Sequence, residues 1–161
     1  GRVRAAMATF FSKEWADEVR EAMEAGPGEE ARATKLQEYW DFYQLVRDNY
    51  AASWALGVRD LPGELAGSPS YLFVQWSGGH VTDCRIIGPD DPLDATYVLD
   101  GEYGDWVALL SGYDAQRTVM YRKLLLQEGD LLEFFKAIYF FVESVACLAT
   151  VKTEMPEPVA A

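Results

Sequence analysis

The chain has 161 residues, half of them hydrophobic and 14% aromatic, with 26 acidic against 14 basic side chains and a formal net charge of -12. A single domain of this length buries roughly 70% of the surface that its unfolded chain exposes, and the surplus of aromatic residues is enough to line a cavity as well as fill a core. The negative field repels phosphate backbones and anionic membrane surfaces, which excludes nucleic acid as an expected partner; read more plainly, it keeps an apolar-rich chain in solution.

Residues 1–6, GRVRAA ahead of Met7, resemble a remnant of recombinant expression and are set aside, so the native start is expected at Met7. No basic start followed by an apolar run and a small-residue cleavage site precedes the first helix, and a cytoplasmic location is the expectation. That helix begins at Ser12, a suitable N-cap. It carries Trp15, Val19 and Met23 at four-residue spacing and stops at Gly26-Pro27-Gly28. A second helix is predicted over residues 29–48, where Leu36, Tyr39, Trp40, Tyr43 and Val46 form an aromatic stripe that reads as core or as cavity wall.

Beyond Tyr50 the period changes to that of a strand over residues 54–58. After a loop rich in Gly, Pro and Ser over residues 59–70, a second strand follows at 71–77. Gly78-Gly79 is a hairpin signal, so residues 81–87 return antiparallel, and a fourth strand is predicted at 95–99. Residues 102–112 are helical, with Tyr103, Trp106, Leu109 and Leu110 on one face, Glu102 and Asp105 in the first turn and Gly112 at the end. A short helix near residues 117–121 and a fifth strand at 123–127 precede a long apolar helix over residues 131–150. Glu133, Lys136 and Glu143 inside that segment argue against a membrane span, so it is expected to cover the sheet with Phe134, Phe135, Ile138, Phe141, Val142 and Val145 inward. Residues 155–161, with two prolines, are expected to form a flexible tail.

Reactive chemistry is sparse. The lone His80 follows a glycine turn and reads as a surface residue, and Cys84 and Cys147 read as buried thiols without metal-ligand spacing. Asp90, Asp91 and Asp94 lack the spacing of an EF-hand and read as a solvated turn, and no phosphate-binding glycine motif occurs. No catalytic residue, no metal and no cofactor is expected, and no stable membrane insertion.

The stretch ATYVLDGEYGDWVALLSG at residues 95–112 resembles the strand-then-helix signature of the sterol carrier protein type 2 family. Its aspartate-aromatic pair is Asp105-Trp106, and its leucine-rich turn, Leu109-Leu110, closes at Gly112. Met120 and Lys123-Leu124 are similar to the family's short helix running into its last strand, and Gly129-Asp130 to the turn before its C-terminal helix. Residues 11–26 and 151–154 are similar to the N-terminal helix and the valine-threonine-glutamate ending of bacterial members. Ala115, Arg122 and Gln127-Glu128 depart from the family pattern, at positions that bear on a cavity mouth more than on the fold.

The resemblance implies an α+β fold, a five-stranded, mostly antiparallel sheet covered by helices around an apolar tunnel, with residues 7–154 as a single lipid-binding domain. The implied ligand is a hydrophobic lipid, fatty-acyl, isoprenoid or sterol-like, that the protein transfers or presents. Candidate lining residues, each also readable as solid core, are Trp76, Trp106, Leu110, Met120, Phe134, Phe135 and Ile138. Arg117, Arg122 and Lys123 are the candidate head-group residues, or a surface basic patch of no consequence. Two rivals stand beside the lipid carrier. One is an accessory interaction module with a vestigial pocket that docks on a partner enzyme of lipid metabolism; the other is a small enzyme, which would need a polar group with a shifted pKa deep in the pocket. A homodimer is compatible with all of these readings.

Overall fold

The computed structural model describes residues 7–62, 70–88 and 90–157. The expected remnant at 1–6, most of the loop at 59–70 and the end of the expected tail lie outside the described residues.

Strand β1 (Ala8–Thr9) leads into helix α1 (Lys13–Ala25). Ser12 Oγ accepts the Trp15 amide at 3.1 Å, and Trp15, Val19 and Met23 are buried on one face, as their spacing predicts. The helix ends at Gly26, whose φ of 75° lies in the left-handed region that glycine enters without penalty.

The helix predicted over residues 29–48 is two helices, α2 (Glu29–Arg32) and α3 (Gln37–Asp48). Side chains take the carbonyls at the break: Thr34 Oγ1 donates to Ala31 O at 2.6 Å, and Trp40 Nε1 to Arg32 O at 2.9 Å. With these acceptors used, the turn at residues 33–36 departs from the helical ladder. Of the predicted stripe, Trp40 and Tyr43 are buried, Tyr39 and Val46 are partly buried, and Leu36 is exposed.

Strands β2 (Ala52–Val58), β3 (Ser70–Ser77), β4 (His80–Ile87), β5 (Tyr97–Gly101) and β6 (Leu125–Glu128) form one sheet in the order β4-β3-β2-β5-β6. β2 runs parallel to β5, and the other neighbours are antiparallel. The central β2 is buried at every position. Trp54, Leu56 and Val58 occupy one face, while the other carries small residues, and at Gly57 a Cβ would come within 2.5 Å of the Tyr71 ring. Helix α4 (Tyr103–Leu110) follows β5 and α5 (Ala115–Met120) precedes β6, each within about two residues of its prediction.

The long C-terminal helix is also broken. α6 (Leu131–Lys136) and α7 (Ile138–Ala149) meet at Ala137, with φ -114° and ψ 26°. Alanine is the strongest helix former, so packing rather than local preference imposes this break. β7 (Thr153–Glu154) then pairs in parallel with β1, an interaction the sequence did not suggest, and Trp15 Nε1 donates to Thr153 Oγ1 at 2.9 Å across it. Beyond β7, Met155 packs against the core and the Tyr103 hydroxyl donates to Pro156 O.

Candidate ligand-binding site

Trp76, on β3, is fully buried between the sheet and α7. Its ring lies 4.9 Å from Phe140 and 5.2 Å from Trp54, centroid to centroid. Trp54 continues to Phe141 at 4.8 Å, and Phe141 to Phe134 at 5.0 Å, so Trp76 and Phe134 belong to one chain of aromatic contacts. Trp76 Nε1 is buried with no hydrogen-bond partner among the described residues. Such a donor is costly to leave unmade, roughly 1–3 kcal/mol, and a ligand oxygen would relieve it.

Trp106 belongs to a second aromatic group. It packs on Phe10 at 5.4 Å and Phe11 at 6.1 Å, and its Nε1 donates to Gly57 O at 3.0 Å. Leu110 and Ile138 are partly buried against the core. Phe135, expected to face inward, is 47% exposed, and Met120 is 52% exposed. The correction at Phe135 follows from the helix break: α6 spans six residues and buries only Phe134, which packs on Tyr97 at 5.2 Å. Leu131 and Leu132, at 56% and 75% exposed, stand beside Phe135 on the same short helix.

The candidate head-group residues have different surroundings. Arg117 and Met120 share the rim of an open hollow with Asp114 and Tyr121. Lys123 Nζ is bound to Asp105 Oδ1 at 3.2 Å and lies over the Tyr113 ring. Arg122 is exposed in the turn after α5, with φ 60°.

Sequence reasoning missed a cavity of about 310 Å³ between the end of α1, the Gly26-Pro27-Gly28 turn, α2 and a different face of α7. Its walls are small residues, Ala22, Ala25, Ala31 and Ala146, with one carboxylate, Glu143. Glu143 is 5% exposed; its Oε1 accepts from Lys35 Nζ at 3.4 Å and its Oε2 has no partner among the described residues. The signal was present as a stripe: Glu143, Ala146, Cys147 and Thr150 recur at helical spacing, and glutamate on a helix this apolar marks a face with its own purpose.

His80 is exposed and hydrogen-bonded to Glu24 at 3.1 Å. Burial, with nearby carboxylates adding to it, pushes the thiols of Cys84 and Cys147 up to about 12 and about 11, which keeps both protonated near neutrality. Among the described residues no group of three His, Cys, Asp or Glu is placed to hold a metal ion, and no helix is long and apolar enough to cross a membrane.

No family model matches the sequence, and no curated protein matches it. Solved structures do. The crystal structure of sterol carrier protein 2 superposes with a TM-score of 0.66 at 17% identity, over 88% of this chain and 98% of that one. The solution structure of a Thermus thermophilus protein, described as a candidate sterol carrier protein, superposes with a TM-score of 0.64 at 16% identity, over 96% of this chain and 97% of that one. Identities this low speak for architecture alone, and the architecture agrees strand for strand with the expected five-stranded α+β sheet: the chain has the sterol carrier protein 2 fold.

Proposed function

We propose that the protein binds a hydrophobic lipid, fatty-acyl, isoprenoid or sterol-like, between its sheet and the α6–α7 cover, and carries or presents it. The observation that supports this best is α6 itself. A helix of six residues held by one buried side chain, Phe134, and flanked by an off-helix Ala137 can lift at small cost, and its exposed Leu131, Leu132 and Phe135 would close over an apolar chain. In this reading the lining is Phe134 at that entrance, Ile138 just past the helix break and Trp76 at the far end of the aromatic chain, with Trp106 and Leu110 on the signature helix α4. Of the candidate head-group residues, Lys123 would meet an anionic head group only by leaving Asp105, whereas Arg117 and Arg122 are exposed and make no ion pair among the described residues.

The energetics suit an apolar site without a dedicated charge partner. Each buried methylene contributes about 0.8 kcal/mol, so a long acyl chain gains on the order of 10 kcal/mol before ordering and association costs. Native mass spectrometry of the purified protein, followed by solvent extraction, tests the reading directly. A stoichiometric adduct that extracts as an acyl or isoprenoid lipid is expected. A bare mass together with no uptake of a fluorescent fatty-acyl probe would defeat it. The exposed row on α6, extended by the half-exposed Tyr139, would then favour the second reading, a docking surface for a partner enzyme.

A further inference from the structure

The cavity behind α7 has a chemistry of its own. Apart from Glu143, its lining residues carry no charged side chain, and that carboxylate is buried with one oxygen unpartnered. The other oxygen holds an ammonium, that of Lys35, at a long 3.4 Å. Lys35 Nζ also lies 4.9 Å from the centre of the Tyr39 ring and 5.4 Å from that of Trp40; these three residues are not part of the cavity wall, and Glu143 is the group that joins the ammonium's aromatic surroundings to the cavity. Burial, and then the Glu143 carboxylate, hold the Tyr39 hydroxyl above its usual range, so it faces the carboxylate as a neutral group. Arg32 also faces Trp40, at 5.3 Å, but its Nε is committed to Pro27 O.

We propose that this cavity is a binding site for a small apolar organic cation, an alkyl- or arylammonium, with Glu143 as its counter-ion and Lys35 as the side chain it displaces. Three observations converge on that chemistry. The cavity of about 310 Å³ is at the small end of the range for ligand pockets, roughly 300–1,000 Å³, and accommodates a short hydrocarbon body among the alanines. The ammonium now paired with Glu143 is carried by the turn between α2 and α3 and its side chain is one-third exposed, so it can swing to solvent. A net charge of -12 raises the local concentration of cations and lowers that of anions. The site lies on a different face of α7 from the aromatic chain under the sheet and does not depend on the lipid reading.

Calorimetric titration of the intact protein with n-hexylammonium, n-hexanoate and 1-hexanol tests the proposal. Saturable binding of hexylammonium is expected, with hexanoate excluded and hexanol weaker. Glu143→Gln should weaken hexylammonium binding about tenfold, the loss of one charge-assisted contact. Lys35→Ala should strengthen it, because an internal competitor is gone; a purely structural role for Lys35 predicts no gain. Ala146→Phe should abolish binding by filling the cavity, and it decides the matter if Glu143→Gln does not fold. Equal binding of the three probes, no binding of hexylammonium, no gain in Lys35→Ala, or undiminished binding to Ala146→Phe overturns the proposal.

Discussion

Two adjoining helices, α6 with four apolar residues of six and α7 with ten of twelve, meet the sheet in opposite ways. α7 buries eight of its twelve residues, Phe140 and Phe141 among the indole and phenol rings of Trp54, Trp76 and Tyr50, whereas α6 buries one of six and turns its leucines outward. The difference lies in what stands opposite. α7 lies over the central strand β2 and its neighbour β3, where Trp54 and Trp76 from the two strands both pack on Phe140, and Trp54 also packs on Phe141. α6 reaches the sheet through Phe134 on Tyr97, near the β6 edge. Hydrophobicity alone does not fix burial; the number of opposing surfaces does. The same fold therefore provides a rigid wall and a loosely held flap from one continuous apolar segment.

Breaking the wall should have the largest effect. Phe140→Ala removes a ring in contact with Tyr43, Tyr50, Trp54 and Trp76, and urea denaturation should show a loss of about 3–5 kcal/mol. A loss under about 1 kcal/mol would mean that the neighbours collapse into the space, and that the wall is no more specifically packed than the flap.

A smaller effect is expected from the clamp that fixes α1 and α3 to the β3–β4 hairpin on the wall side. Arg47 donates to Glu24 O at 2.7 Å, Glu24 Oε2 at 3.1 Å and Gly79 O at 2.9 Å, and Glu24 also accepts from His80 and the Val81 amide. The hairpin approaches so closely that a Cβ on Gly79 would lie 2.3 Å from Arg47 O. Burial opposes ionisation of Glu24, but the His80 and Val81 hydrogen bonds and the charges of His80 and Arg47 hold its carboxyl below the ordinary 4.5. A folded-state pKa lowered in this way stabilises above the unfolded value and is lost as pH falls through the lowered one. Urea midpoints followed from about pH 6 to pH 3 should therefore decline less steeply in Glu24→Gln than in the parent. Parallel declines would show that the clamp carries no net charge stabilisation. Because Glu24 is substantially exposed, solvent screening keeps the effect modest.

The elements legible in the sequence were those whose burial is periodic and local. Ser12, Trp15, Val19, Met23 and Gly26 specify α1 from cap to stop, and Gly78-Gly79 specifies the hairpin, because each signal acts within a few residues. The two helix breaks were not legible, since Thr34, Trp40 and Ala137 act through side-chain capture of carbonyls or through packing on distant strands rather than through glycine or proline. The β1–β7 pairing joins residues near opposite ends of the chain and leaves no local pattern. Among the candidate site residues, Trp76 and Phe134 share a contact chain while Phe135 and Met120 face solvent; at Phe135 the difference comes with the break at Ala137, which periodicity across a continuous helix cannot express, and Met120 is exposed at the end of the separate helix α5. The cavity at Glu143 was hidden for the converse reason: its walls are alanine and glycine, which a search for large apolar residues passes over.

The smallest stability effect should come from the flap, and it separates packing from function. Leu132→Ser and Phe135→Ser alter side chains that are mostly or half exposed, so each should change stability by no more than about 0.5 kcal/mol. If these side chains close over a bound acyl chain, the double variant should take up a fluorescent fatty-acyl probe several-fold more weakly than the parent while unfolding at nearly the same urea concentration. Unchanged uptake would remove α6 as the cover and place any lipid elsewhere between helices and sheet. A loss above about 1 kcal/mol would instead mean that Leu132 and Phe135 already hold the flap shut against the body of the protein, and the contrast between wall and flap would be one of degree.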